Sequence, residues 1–234
     1  MTAAEIAELL SMALSTVSAI LKRVGLGRLW RLAPPEPFNR YERRHAGELL
    51  HVDVKKLGRI ARPGHRLTGT RAQRGYHRRA YEQGWEYVHV CIDDATRLAY
   101  VEVLADERGE TAARFLERAV AWYRAQGVAV ERVMTDNGSA YRSHVHGEAC
   151  RRLGLRHLTT RPYRPRTNGK AERFTRTLLA GWAYARLHGS SEDRTGLLSA
   201  WLEHYNWRRP HGSLGHRPPG TRLAELNNLA RNYS

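Results

Sequence analysis

Leu49-Leu50-His51-Val52-Asp53-Val54-Lys55-Lys56-Leu57 (residues 49–57) is an apolar run with one carboxylate near its centre. Aliphatic and branched side chains over this length favour a strand. An unpaired carboxylate buried there is costly, so Asp53 needs either a bridging partner or a use. Working outward, Trp85–Ile92 reads as a second strand carrying Tyr87, Val88 and Val90, and Leu98–Leu104 as a third after a turn at Asp93-Asp94. Glu110–Gln126 repeats apolar residues at helical spacing through Ala112, Phe115, Leu116, Ala119, Trp122 and Tyr123. Glu131–Thr135 follows as a strand, ended by the turn signal Asp136-Asn137-Gly138. A helix near Ser143–Leu153, a strand near Leu155–Thr159 and a long helix from about Asn168 to Arg186 complete the pattern. That last helix is expected to bury Ala171, Phe174, Leu178, Trp182 and Ala185. Three strands followed by alternating helices and strands predict a layered α/β domain.

Ahead of this domain, residues 2–24 read as two short helices. Thr2 and Glu5 have capping-box spacing, and Ile6, Leu9 and Leu10 form a stripe. Ser11 to Leu14 is a plausible turn, after which Ser15 can cap a second helix with Val17, Ile20, Leu21 and Val24 on its apolar side. Ser15, Thr16, Ser18 and Lys22 would then face outward, as in the DNA-reading helix of a helix-turn-helix unit; an ordinary αα-hairpin fits the same pattern. Such a unit normally packs on a third helix, so the chain is expected to begin partway through that domain. Residues 25–47 read as a Pro- and Arg-rich linker, extended and semi-rigid, and residues 221–234 as a tail. Residues 58–84 interrupt the first two strands with seven arginines and one acid, Glu82. Arg71, Arg74 and Arg78 beside Tyr76, His77 and Tyr81 suit phosphate contact and base stacking, although a solvated loop fits too.

The 234 residues are enough for one substantial domain and a small appendage. With 39 basic residues, 23 acidic ones and a net charge of +16, the chain calls for a polyanionic partner. An anionic membrane surface would answer the same charge, but no apolar run approaches the roughly 20 residues that span a bilayer and no signal peptide is evident. DNA is therefore the expected partner and the bacterial cytoplasm, at the nucleoid, the expected location. Cys91 and Cys150 fall in a predicted strand and a predicted helix, without CxxC spacing. Both are expected to be small core residues in a reducing compartment, and no zinc site is expected.

Three carboxylates stand out by position: Asp53 within a central strand, Asp136 at a strand end and Glu172 in the first turn of the long helix. Each alone has an ordinary explanation as a bridged strand residue, a turn former or a surface glutamate. Together they place acids where α/β folds gather ligands and favour a metal site. Oxygen-only donors select Mg²⁺ or Mn²⁺, and two such ions can serve an in-line displacement at phosphorus. Lys170, beside Glu172, is a candidate phosphate contact or a solvent-facing lysine, and Arg166 and Arg173 flank it as further candidates. His51 could approach the metals but is expected to be structural.

The blocks His51-Val52-Asp53-Val54-Lys55-Lys56-Leu57, Thr135-Asp136-Asn137-Gly138-Ser139-Ala140-Tyr141 and Pro165-Arg166-Thr167-Asn168-Gly169-Lys170-Ala171-Glu172-Arg173 resemble the catalytic motifs of retroviral-integrase-like transposases from bacterial insertion sequences. Tyr205-Asn206 and Arg209-Pro210-His211 resemble the motif that follows that family's core, so the resemblance covers about residues 48–220. It implies an RNase H-like fold: a mixed five-stranded sheet flanked by helices. It also implies that Asp53, Asp136 and Glu172, the last two separated by thirty-five residues, form a DDE triad. DNA cleavage and strand transfer on transposon ends and target DNA, in a homo-oligomer, would follow. The zinc-binding domain that precedes retroviral cores has no counterpart here. A plain nuclease on this fold, or a truncated non-catalytic DNA-binding repressor, are the competing readings.

Overall fold

The computed structural model describes residues 2–27, 42–60, 84–160 and 169–232. The chain divides into two compact units, Met1–Tyr41 and Glu42–Ser234. In the first, α1 (Ala3–Leu9) and α2 (Leu14–Arg23) are joined by a bend of 119°. Thr2 and Glu5 form the expected capping box, with Thr2 Oγ1 accepting from the Glu5 amide and Glu5 accepting from the Thr2 amide. The start of α2 departs from expectation: its N-cap is Ala13, without a side-chain hydrogen bond, and Ser15 lies inside the helix. The helix begins two residues earlier than a Ser15 cap would set it, so Ser15 lies past the capping position. Helices this short bury only what lies between them, so Ala7 and Val17 are covered while Leu9, Leu10, Ile20 and Val24 stay exposed. Among the described residues, no single helix is long and apolar enough to cross a membrane.

The second unit is built on a sheet of order β3-β2-β1-β4-β5, formed by β1 (Leu50–Gly58), β2 (Trp85–Asp93), β3 (Ala99–Leu104), β4 (Arg132–Thr135) and β5 (Arg156–Thr159). β1, β2 and β3 pair antiparallel, whereas β4 and β5 run parallel to β1. The connections explain the difference: a tight turn returns β2 to β3, while α3 (Gly109–Ala125) and α4 (His144–Arg152) cross over to the parallel strands. The mixed five-stranded sheet is the one expected, and each of its strands lies within a residue or so of its predicted bounds.

Both faces of the sheet are covered. On one side Leu50, Val52, Cys91 and Val133 pack with Phe115, Leu116, Ala119, Val120 and Tyr123 of α3 and with Cys150 of α4. On the other, Leu57, Val88, Val90 and Ile92 pack with Phe174 and Leu178 of α5 (Gly169–Leu178), with Trp182 and with Tyr205. The period-two alternation of a strand therefore assigns faces: even positions of β1 point to α3, and odd positions, including Asp53, to α5. Gly47, at φ +82, lies where any Cβ would stand 2.1 Å from the Ala129 carbonyl oxygen. Its amide donates to Asp93 Oδ1 and its carbonyl accepts from Glu131, tying the β2–β3 turn to the entry of β4.

The long terminal helix also departs from expectation. After Leu178 it widens into a π turn, Leu179–Ala183, and stops. A Cβ on Gly181 would stand 2.8 Å from Trp201 Nε1, and Trp182 donates through Nε1 to the Arg194 carbonyl. The wider turn rotates Ala183 inward and leaves Ala185 exposed rather than buried. Three helices follow: α6 (Ser191–Gly196), α7 (Leu198–Trp207) and α8 (Pro219–Asn232), the last reaching into the stretch read as a tail.

Candidate active site

Asp53 occupies β1 directly opposite Val90 of β2, and Oδ1 accepts from the adjacent Val54 amide at 2.9 Å. Across the parallel pairing, His51 registers with Met134. The same register carried two residues further sets Asp136 beside Asp53, on the same face of the sheet. Asp136 follows the last residue of β4, where its Oδ1 accepts the Gly138 amide at 2.8 Å and fixes the turn. A Cβ on Gly138 would sit 2.9 Å from that same carboxylate oxygen, so a larger residue there would displace the carboxylate. Asn137 donates to the Thr160 carbonyl at 2.8 Å, latching the turn to the end of β5.

Glu172 comes from the layer above. α5 packs against β1 and β2 through Ala171, Phe174, Thr175 and Leu178, which leaves Glu172 and Arg173 exposed in its first turns. Phe174 is held by an edge-on contact with Tyr205 at 4.9 Å between ring centroids, and Tyr205 by His211 at 4.6 Å. Asn206, buried beside them, donates to the Ala99 carbonyl at 2.8 Å and accepts the Ala99 amide at 2.9 Å, pairing with β3 as a strand would. The Tyr205-Asn206 and His211 positions thus clamp the helix that presents Glu172.

The electrostatics record the convergence. Burial pushes the Asp53 carboxyl up to about 6, opposed by the Val54 amide and reinforced by the nearby charges of Asp136 and Glu172. Tyr141, buried and without a partner for its hydroxyl among the described residues, is driven well above its ordinary range by burial and by the charges of Asp53 and Asp136. Like charges gathered this way raise one another's proton affinity and are relieved by a cation. All six carboxylate oxygens are hard donors, so the set fits Mg²⁺ or Mn²⁺ in kind.

Beside the carboxylates lies a different arrangement. Asp94 is fully buried and accepts from His51 Nε2 at 2.8 Å, from the Arg43 amide at 2.7 Å and from Lys170 Nζ at 2.5 Å. Burial opposes its charge, but the hydrogen bonds from His51, Lys170 and Arg43 win and hold its carboxyl well below the usual range. Lys170 therefore ties the start of α5 to the β2–β3 turn, and its side chain is only 20% exposed. Burial lowers its pKa, with Asp94 acting to restore it. His51 is buried in this network rather than among the three carboxylates. Ser15, Thr16 and Lys22 are all exposed on α2. Arg71, Arg74, Arg78 and Arg166 lie outside the described residues.

Residues 43–165 match the family model described as integrase core domain, and residues 153–219 match a second of the same description. The chain belongs to the integrase core domain family. This integrase-core chain is 34% identical over 101 residues to transposase InsD of the Escherichia coli insertion element IS2, a match covering 42% of the chain and 34% of that protein. It is 31% identical over 133 residues to an uncharacterized protein of Caenorhabditis elegans, covering 57% of the chain and 10% of the relative. The chain thus spans about a third or less of the length of these two curated relatives. Among solved structures, the catalytic core domain of BIV integrase aligns with a TM-score of 0.53 at 19% identity, over 79% of this chain and 99% of that one. A simian T-cell lymphotropic virus intasome in complex with a PP2A regulatory subunit, B56 gamma, gives 0.57 at 16% identity, over 95% and 74%. At these identities the likeness is one of fold, and it assigns the five-stranded sheet to the RNase H-like architecture of integrase cores.

Two features of the integrase core were not anticipated. The Asp94 network was invisible because Asp93-Asp94 read only as a turn. Cys150, expected to be an isolated core residue, has His146 and His157 as neighbours; among the described residues, these three have ligand atoms all within 4.8 Å of one another. His146 and Cys150 have the four-residue helical spacing that could have signalled half of this cluster.

Proposed function

We propose that this chain is a transposase-type integrase that cleaves and joins DNA strands through Asp53, Asp136 and Glu172. The observation that supports this reading is that β1, the end of β4 and the start of α5 each bring a carboxylate to the same side of the sheet, with the charges of Asp136 and Glu172 raising the proton affinity of Asp53. Asp53, Asp136 and Glu172 would hold two Mg²⁺ or Mn²⁺ ions, which supply activation of a water or 3′-hydroxyl and charge neutralisation at the leaving oxygen. The chain's own residues do the positioning. Gly138 and Asn137 fix the Asp136 carboxylate, Phe174 and Tyr205 seat the helix of Glu172, and the strand holds Asp53 rigid between β2 and β4. The P–O bond to the incoming oxygen forms as the bond to the departing one breaks, and the proton of the attacking group passes to solvent.

The DNA surface would combine this site with the charge of +16. Arg173, exposed one residue beyond Glu172, is its nearest described candidate, joined by Lys170 where that lysine is shared between Asp94 and a phosphate. Arg71, Arg74, Arg78 and Arg166 would extend it, and α1–α2 would act as a helix-turn-helix segment reading DNA through Ser15, Thr16 and Lys22. On this reading, residues 48–220 are the catalytic core, and the active complex is a homo-oligomer on transposon ends and target DNA in the bacterial cytoplasm. The deciding experiment is Mg²⁺- and Mn²⁺-dependent nicking and strand joining by Asp53→Asn, Asp136→Asn and Glu172→Gln. Each variant should bind DNA and lose both reactions. A folded Glu172→Gln protein that joins strands at the parental rate would remove the assignment.

A further inference from the structure

The face of the sheet opposite the three carboxylates carries a second group of ligating side chains. His146 and Cys150 lie one turn apart on α4, and His157 lies on β5 in register with Val133 of β4, a residue packed on that face. Alternation therefore points His157 toward α4. Cys150 Sγ stands 3.8 Å from His146 Nδ1, and the His146 and His157 rings are 5.0 Å apart between centroids. The ligand atoms of all three fall within 4.8 Å of one another. Bonds of zinc to a thiolate and an imidazole nitrogen at a tetrahedral angle set those donors about 3.6 Å apart, close to the separation seen here.

The hydrogen bonding is already arranged for a ligand. His157 Nε2 lies 2.9 Å from Thr135 Oγ1, and that hydroxyl donates its own proton to the Asp136 carbonyl. In that arrangement the hydroxyl accepts from His157 Nε2, the tautomer whose Nδ1 lone pair is free to ligate. An acceptor behind the imidazole usually accompanies a metal-bound histidine, most often a carboxylate, a carbonyl or a water, and here the Thr135 hydroxyl stands in that place. His146 is fully buried, and its Nε2 has no partner among the described residues. Its Nδ1 has only the long contact with the Cys150 sulfur among the described residues, and a cation on that nitrogen would replace this weak contact with a bond.

We propose that His146, Cys150 and His157 form a zinc site that clamps α4 to β5 behind Asp136, separate from the carboxylate site. A sulfur and two imidazole nitrogens are soft and borderline donors, which select Zn²⁺ and disfavour the Mg²⁺ or Mn²⁺ proposed for the opposite face. On binding, the Cys150 S–H proton passes to solvent as the S–Zn bond forms. The two histidines give lone pairs and nothing is oxidised or reduced. Three protein donors leave one tetrahedral position for a water. The consequence is mechanical: Thr135 joins this cluster to Asp136, so the ion would stiffen the strand end that presents a site carboxylate.

The test uses the reduced, chelator-stripped chain titrated with Co²⁺. A near-ultraviolet thiolate-to-cobalt charge-transfer band should saturate at one ion per chain. It should persist in Cys91→Ser and in Asp53→Asn, and vanish in Cys150→Ser. The Asp53→Asn arm separates this site from the carboxylates, so its outcome is independent of whether the chain joins DNA. Zinc X-ray absorption on the unmodified chain supplies a second reading that needs no variant, with one sulfur and two imidazole nitrogens expected. Absence of the band at saturating Co²⁺, its survival in Cys150→Ser, or an all-oxygen zinc shell would overturn the proposal.

Discussion

Asp53 and Asp94 belong to the same sheet, one within β1 and the other just past the end of β2, yet their surroundings are opposite. Asp94 is enclosed by three donors, His51, Lys170 and the Arg43 amide, and its charge is stabilised from within the chain. Asp53 keeps one hydrogen bond, from its own neighbour Val54, and faces two further carboxylates. A charge needed only by the fold is compensated locally, because an uncompensated one would cost several kcal/mol. Asp53 has no such compensation, and on the proposed function a cation would supply it. The contrast separates an aspartate closed within the fold from one left open more sharply than burial does.

The widest gap between the two should appear in catalysis. Asp53→Asn, Asp136→Asn and Glu172→Gln should each lower metal-dependent strand joining by more than about a thousandfold, or roughly 4 kcal/mol of transition-state stabilisation, as read by gel assay on labelled DNA. Next in size is the stability of the frame. Asp94→Asn removes the buried charge that faces His51 and Lys170 and should lower unfolding free energy by roughly 3–5 kcal/mol, the cost of breaking a buried pair, measured by denaturant midpoint. The Asp94 carboxyl is held below its ordinary range, so its stabilisation is present above the unfolded carboxylate range and is lost as pH falls through and below it.

Asp53→Asn should do the reverse. Its carboxyl is raised to about 6, so between the unfolded value of about 4 and that pH the folded chain holds the extra proton, and stability falls as pH rises. Removing the charge should therefore stabilise the metal-free protein by roughly 1–3 kcal/mol at neutral pH, and by nothing near pH 4. Equal stability at both pH values would mean that Asp53 is compensated after all. The smallest effect belongs to Glu172→Gln, an exposed helix position, which should shift the unfolding free energy by less than about 0.5 kcal/mol. A larger loss would make Glu172 part of the frame.

How much of this could be read in advance differs from element to element. The strands and α3 followed from apolar spacing, because packing on a sheet demands that periodicity. The long helix did not end where its pattern did: Gly181 and Trp182 are helical by spacing, but contact with Trp201 and Arg194, distant in sequence, widened the turn. Ser15 misled in the same way at a helix start, since a capping residue matters only where the backbone leaves an amide open. The Tyr205-Asn206 pair was recognisable as a motif, yet its work, pairing with Ala99 and seating Phe174, involves partners about a hundred and about thirty residues away.

By itself the sequence determined the order of strands and helices as far as the start of the long helix, the basic charge and the three carboxylates in their motif contexts, since these depend on local chemistry and on spacing along the chain. Only the tertiary structure decided which acids remain open and which are closed. Asp93, Asp94 and Asp53 are alike as residues, and what separates them is whether donors from remote segments reach them. The same holds for Cys150, whose two histidine neighbours sit on its own helix and on the following strand. Burial and through-space contact set the free energy of a charge or a lone pair, and neither is a property of neighbours in sequence.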